Sequence, residues 1–143
     1  LIKESKYVDK IDTKYFYTVA KNLHDVNTEK DEATNRTVVG RVYYAVYLAT
    51  RDWIDQRFSA ELKEVEGNSH EKYTNCLLVL QRKNMDLTLS RFSRELKVLK
   101  EERHFADYQF NPKDKQTHVS TQASLLLGKK LLDDLDVLKQ KYL

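Results

Sequence analysis

Glycine and proline are almost missing from this chain, with three and one among 143 residues. Folds built from many turns and short strands need both, so long helices suit the composition better. There is one cysteine, Cys76, and therefore no internal disulfide and no cysteine pair for zinc. It lies in the apolar run CLLVL, where a lone thiol reads as a small core residue and a reducing cytoplasm fits. No apolar run approaches the ~20 residues that span a bilayer, and the first residues carry no signal-peptide core, so no membrane partner is expected. Charge of one sign is also lacking: 25 Lys and Arg face 22 Asp and Glu, a net +3 that permits nucleic acid without demanding it. There is no glycine-rich phosphate loop, no His-Glu-x-x-His and no Gly-x-Ser-x-Gly. The histidines, at 24, 70, 104 and 118, form no i, i+4 pair with one another or with Cys76, and neither metal nor cofactor is expected.

What is abundant is helical periodicity. Phe16, Val19, Ala20 and Leu23 share one face of a helix expected over 12–25. Thr28 with Asp31 three residues on resembles a capping box opening a long helix over 29–59. Its Val39, Val42, Val46, Ala49 and Trp53, widened by Val38, Tyr43, Ala45 and Ile54, predict protein contact on more than one side. EGNSH breaks the chain before a third helix over 70–83, and KNMD separates that from a fourth over 86–108. Asn111-Pro112 stops the fourth, because the residue before proline is pushed out of the α region. A last helix over 114–142 would turn Val119, Ala123, Leu126, Leu127, Leu131, Leu135, Leu138 and Tyr142 inward. The expectation is a single all-α domain over 1–143, an up-and-down bundle of about five helices.

One charge breaks the pattern. Phe92, Leu96, Leu99, Arg103, Ala106 and Phe110 follow alternating steps of four and three, which sets a guanidinium on a core stripe. Burying an unpaired charge costs several kcal/mol, so Arg103 needs a carboxylate, a carbonyl cluster or an opening onto a ligand. Asp107 stands four residues on, although this order of signs is the weaker one and an Asp near a helix C-terminus opposes the macrodipole. Two readings follow: a ligand site, or an arginine that snorkels out and fastens the last helical turn.

A second group lies in GRVYYAVYLATRDW, residues 40–53. At 100° per residue Tyr44 falls about 60° from Arg41 and Arg51 about 20° from Tyr44, while Tyr43 points away toward Val39 and Val46. Two cations and a phenol on one strip can hold phosphate and stack a base, or form a solvated face or dimer surface. His70 sits at a helix start that disfavours the imidazolium and keeps the ring able to accept a proton, or it is simply a helix-start residue. His104 points about 100° off the Arg103 stripe. Arg91, Arg94, Lys97 and Lys100 spiral round the fourth helix as a mostly solvated face.

GRVYYAVYLATRDW, NSHEKYTNCL and RHFADYQF, in this order over about residues 10–140, resemble three elements of the HEPN (higher eukaryotes and prokaryotes nucleotide-binding) family. The resemblance implies a helical bundle, a homodimer with a composite cleft, and a cytoplasmic role in a toxin–antitoxin or antiviral-defence setting. It also implies a nucleotide or RNA ligand and a nucleotidyltransferase antitoxin as partner. Carried over as structural or binding positions are Arg41, Tyr43, Tyr44, His70, Arg103, Asp107 and Tyr108, with Arg51 added from the strip. Metal-independent ribonucleases of the family use an Arg followed after four to six residues by a His. No Arg and His of this chain have that gap. If the chain cleaves RNA, Arg103 with His104 or His70 are the candidate catalytic residues. The alternative is a non-catalytic dimeric interaction module in which Arg103 and Asp107 fix register.

Overall fold

Asp31, extended at φ −60° and ψ 124°, starts the helix around which the others pack. Its carboxylate accepts hydrogen bonds from the Thr34 backbone N–H at 3.1 Å and the Thr34 hydroxyl at 2.8 Å. The cap is therefore Asp31 itself, not the expected Thr28 box, and Asn27 closes the preceding turn by bonding the Asp31 backbone and Asn35. The computed structural model describes residues 11–29, 31–110 and 120–143. Among them are six α-helices and no strand: α1 Tyr15–Val26, α2 Glu32–Arg57, α3 Ser59–Lys63, α4 Ser69–Asn84, α5 Leu87–Tyr108 and α6 Thr121–Lys141. The all-α bundle expected from composition and periodicity is what this sequence folds into. No helix among the described residues is long and apolar enough to cross a membrane.

α2 touches each of the other five helices. Val38, Val39, Val42, Val46 and Ile54 are fully buried on it, as expected for a helix with protein on more than one side. The single helix expected over 29–59 is divided at Phe58, whose backbone leaves the helical region at φ −127° and ψ 36°. Its ring is buried, edge-on to Trp53 at 5.2 Å and to Tyr142 at 6.1 Å, so core packing holds the break and the short α3 follows.

The segment after α2 carries the chain back before α4 begins. The Tyr47 hydroxyl reaches the Ser69 carbonyl at 3.4 Å, and the Tyr73 hydroxyl donates to Asp55 at 2.7 Å. α4 therefore runs in the same sense as α2, one departure from simple alternation. Met85, at φ 51°, turns the chain sharply, and Asp86 caps α5 by accepting from the Thr88 N–H at 3.0 Å. α5 and α6 are antiparallel, joined by the Ser124 hydroxyl on Glu102 at 2.6 Å and Lys130 on Glu95 at 2.9 Å.

α6 begins at Thr121 behind a Ser120 cap; the expected start near 114, with Val119 and the Asn111-Pro112 stop, lies outside the described residues. Leu127 packs against the core and from Leu131 onward the buried face matches the periodicity, but Ala123 and Leu126 depart from it. Ser124, Leu125 and Gly128 face inward, while Ala123 is exposed and Leu126 is 63% exposed. The cause is a close approach: a Cβ at Gly128 would stand 2.4 Å from Val42 Cγ1. Packing the bare Gly128 backbone on α2 brings Ser124 and Leu125, one turn before it, to the same face. Cys76 is buried in the core, where burial pushes its thiol up to about 11.

Candidate functional site

Arg103 projects from the last third of α5 toward α2, which runs antiparallel to it. Its Nε lies 2.9 Å from Asp107 Oδ2, and its terminal nitrogen donates to the Tyr44 hydroxyl at 3.1 Å. The Nε contact is one of charge and not a straight hydrogen bond, because the buried Nε–H has no aligned acceptor. The guanidinium also lies over the Tyr44 ring at 5.2 Å and near the Tyr43 ring at 6.0 Å. The stripe position is thus real: Phe92, Leu96, Leu99 and Ala106 are buried, and Arg103 between them keeps only 20% of its side-chain exposure. Phe110, the last residue of that stripe, is past the helix end and 65% exposed.

A second arginine holds the same end of α5. Arg36 is 8% exposed, pairs with Glu32 at 3.1 Å and donates to the carbonyls of Phe105 at 3.3 Å and Ala106 at 3.0 Å. Its guanidinium also lies over the Phe105 ring at 5.4 Å and the Phe110 ring at 4.8 Å. The Phe105 carbonyl also accepts the Gln109 backbone N–H at 2.9 Å, whereas Ala106 is one of the helix-terminal carbonyls without an intrahelical partner, so a cation here satisfies that carbonyl and the negative end of the helix.

Between the two arginines opens a recess of about 240 Å³, lined by Arg36, Thr37, Gly40, Arg41, Tyr44 and Asp107. Gly40 leaves its floor open, since a Cβ there would meet nothing within 4 Å. Arg41 is exposed on its rim and has no ion-pair partner among the described residues. Arg103 stands behind Tyr44 and Asp107. The recess therefore joins one outward guanidinium, one phenol, one carboxylate and two cations held in its wall. Such an arrangement can receive a phosphate or carboxylate, with Arg41 as the mobile contact and Tyr44 oriented by Arg103.

A larger groove, about 610 Å³, lies on the other side of Tyr43 between α4 and α5. Tyr43 and Tyr47, stacked at 5.8 Å and nearly covered, close its back. Burial first, and then Tyr47, push the Tyr43 hydroxyl well above the usual range, so it remains a neutral phenol. Burial and the bond to Asp55 do the same for Tyr73, whose ring meets Tyr47 edge-on at 6.0 Å. His104 opens onto this groove, its ring 4.8 Å from that of Tyr108.

The residues singled out in the sequence are thus divided. Arg41, Tyr44, Arg103 and Asp107 come together at the recess. Arg51 does not: it lies two turns along α2, 3.8 Å from Asp52, where its charge bears on Tyr47 and Tyr73. Tyr108 is 61% exposed beside His104 rather than Arg103. The backbone of His70 is in the first turn of α4, but its side chain lies outside the described residues, as does all of His118. Arg36 is the residue that the sequence reading missed. It continues the Val39, Val42, Val46 stripe backwards, the same signal that marks Arg103. No group of three or more metal-ligating side chains occurs among the described residues.

No family model and no solved structure matches this chain. It is similar to uncharacterized protein MJ0628 of Methanocaldococcus jannaschii, 33% identical over 103 residues. The similarity covers 66% of this chain and 61% of that protein, so the chain spans less than two thirds of that relative's length.

Proposed function

We propose that this chain is a HEPN-like nucleotide- or RNA-binding protein, working in a toxin–antitoxin or antiviral-defence setting, and that it binds through the α2–α5 recess. The observation that carries the reading is the convergence of Arg41, Tyr44, Arg103 and Asp107, which come from two sequence elements about sixty residues apart. Arg41 would contact phosphate, Tyr44 would present its ring and hydroxyl, and Arg103 would fix Tyr44 and keep the wall positive. Binding is favoured over cutting. Arg103 stands behind Tyr44 and Asp107 in the wall of the recess while His104 opens onto the groove beyond Tyr43, so one protomer does not aim the two at a common atom. A homodimer and a nucleotidyltransferase partner belong to the same proposal.

Calorimetric titration with a ribonucleotide 5′-monophosphate tests it, with Arg41→Ala and Arg103→Met expected to weaken binding about tenfold or more. Cleavage of labelled RNA in chelator, lost in both Arg103→Ala and His104→Ala, would instead assign a metal-independent nuclease.

The second reading, a non-catalytic interaction module, is favoured by one observation: Asp107 and Tyr44 already answer the Arg103 charge within the chain. It predicts that Arg103→Met shifts stability or association state in sedimentation while nucleotide binding is undetectable at any concentration.

A further inference from the structure

The α4–α5 groove has a wall of cations that the fold does not use. Arg94, Lys97 and Lys100 line it, following one another at three-residue steps on α5, and none has an ion-pair partner among the described residues. With His104 they extend over about 15 Å of helix at 1.5 Å per residue. Several lysines on other faces are engaged, Lys14 with Asp136, Lys21 with Asp25, Lys129 with Asp133, Lys130 with Glu95 and Asp134, but the groove sets three cations unengaged among the described residues along one helix. Glu71 and Glu101 also line the groove, so three cations against two carboxylates leave it with a net positive charge of one.

The aromatic and aliphatic side chains at the back of the groove are mostly covered. Tyr43, Tyr47 and Leu96 are 1%, 6% and 3% exposed, and only Leu78, at 37%, presents much of its side chain. An amphipathic partner helix would seat a row of anchors in such a groove, and of its apolar residues Leu78 alone stands open to receive one. A single nucleic-acid strand needs a cationic rail, a slot for a base, and polar groups for its edges. Thr74 and Asn75 line the groove near Leu78, the Asn75 amide also donating to the Glu66 carbonyl at 3.1 Å.

The carboxylates narrow the choice. They oppose a ligand that is anionic throughout, but each can accept a hydrogen bond from a hydroxyl or an exocyclic amino group. A ribonucleotide offers a 2′-hydroxyl where a deoxyribonucleotide has none.

We infer that the α4–α5 groove is a single-stranded RNA site, with Arg94, Lys97 and Lys100 on successive phosphates, one base seated beside Leu78, and Glu71 accepting from ribose. This rests on the reading of the chain as an RNA binder and adds to it a site separate from the Arg103 recess.

The test is fluorescence anisotropy of a labelled twelve-nucleotide uridine RNA, and the same sequence as DNA, against the full chain. The triple variant Arg94→Ala, Lys97→Ala, Lys100→Ala changes cations without ion-pair partners among the described residues, so it is expected to fold; circular dichroism checks this. Expected are at least a tenfold loss of RNA affinity in the triple variant and a log–log salt slope shallower by about two, for three phosphate contacts. RNA should bind more tightly than DNA, and Glu71→Gln should narrow that gap. Unchanged RNA affinity in the folded triple variant overturns the inference, and if Arg103→Met then abolishes binding the recess reading survives alone. Binding of a ribonucleotide monophosphate without any binding of RNA overturns it likewise. Preference for an acidic amphipathic peptide over RNA reassigns the groove to a protein partner.

Discussion

Asp86 shows how much of the stability rests on single polar residues. It is 7% exposed and accepts hydrogen bonds from the Thr88 backbone and hydroxyl, from Lys141 Nζ at 2.7 Å and from the Tyr142 hydroxyl at 2.6 Å. Burial alone would raise its carboxyl, but the donors from Lys141, Thr88 and Tyr142 together hold it well below the usual range. A carboxyl depressed in the fold stabilises it fully above its unfolded value near pH 4, and that stabilisation is lost as pH falls toward the folded value. Tyr142 behaves in the opposite sense. Burial and Asp86 push its phenol up to about 12, so its contribution is complete below about pH 10 and is lost as pH rises toward 12. Asp86→Asn should cost about 2–3 kcal/mol at neutral pH and flatten the acid limb of the stability curve, measured by urea unfolding between pH 3 and 7. Arg36→Leu should cost about 1–3 kcal/mol, because it removes the ion pair with Glu32 and leaves the Ala106 carbonyl without its donor. Hydrogen exchange should then rise first in the last turn of α5.

Among the elements, α2 and α6 approach closely at Gly128. Gly128→Ala would press a methyl group into Val42 and force the helices apart, for a loss of about 1–3 kcal/mol in thermal unfolding. Gly40→Ala is the control. It adds the same methyl in open space within a helix and should raise stability by about 0.5–1 kcal/mol. Element boundaries were legible where local chemistry determines them, as at Asp86 before α5 and EGNSH before α4. They were not where tertiary packing determines them. The break at Phe58 comes from a ring buried between Trp53 and Tyr142, and the inward turn of Ser124 and Leu125 comes from the Gly128 contact with Val42. Tyr142 is far in sequence from Phe58, and Val42 from Gly128, so periodicity along one helix carries no trace of either contact.

At the scale of the whole molecule, pattern reading found one charged stripe position and overlooked its twin. Arg103 was legible because Leu99 and Ala106 frame it, and its partners Asp107 and Tyr44 lay in the two segments that stood out. That Arg51 would stand away from Arg41 follows from ten residues of helical rise along α2, about 15 Å, whereas the opening of His104 away from Arg103 depends on how α2, α4 and α5 are arranged in space. The bundle sets two basic concavities on either side of Tyr43, one small and framed by arginines, the other a long groove along α5. The claim that unites them is that this chain holds nucleotide phosphate with the α2–α5 recess. The most direct measurement is calorimetric titration of wild type, Arg41→Ala and Arg103→Met with a ribonucleotide 5′-monophosphate, alongside thermal unfolding of each. Saturable binding by wild type, weakened about tenfold by Arg41→Ala with unfolding unchanged, is the predicted result. No binding by wild type, with Arg103→Met changing only stability or association state, would contradict it and leave the recess a structural joint.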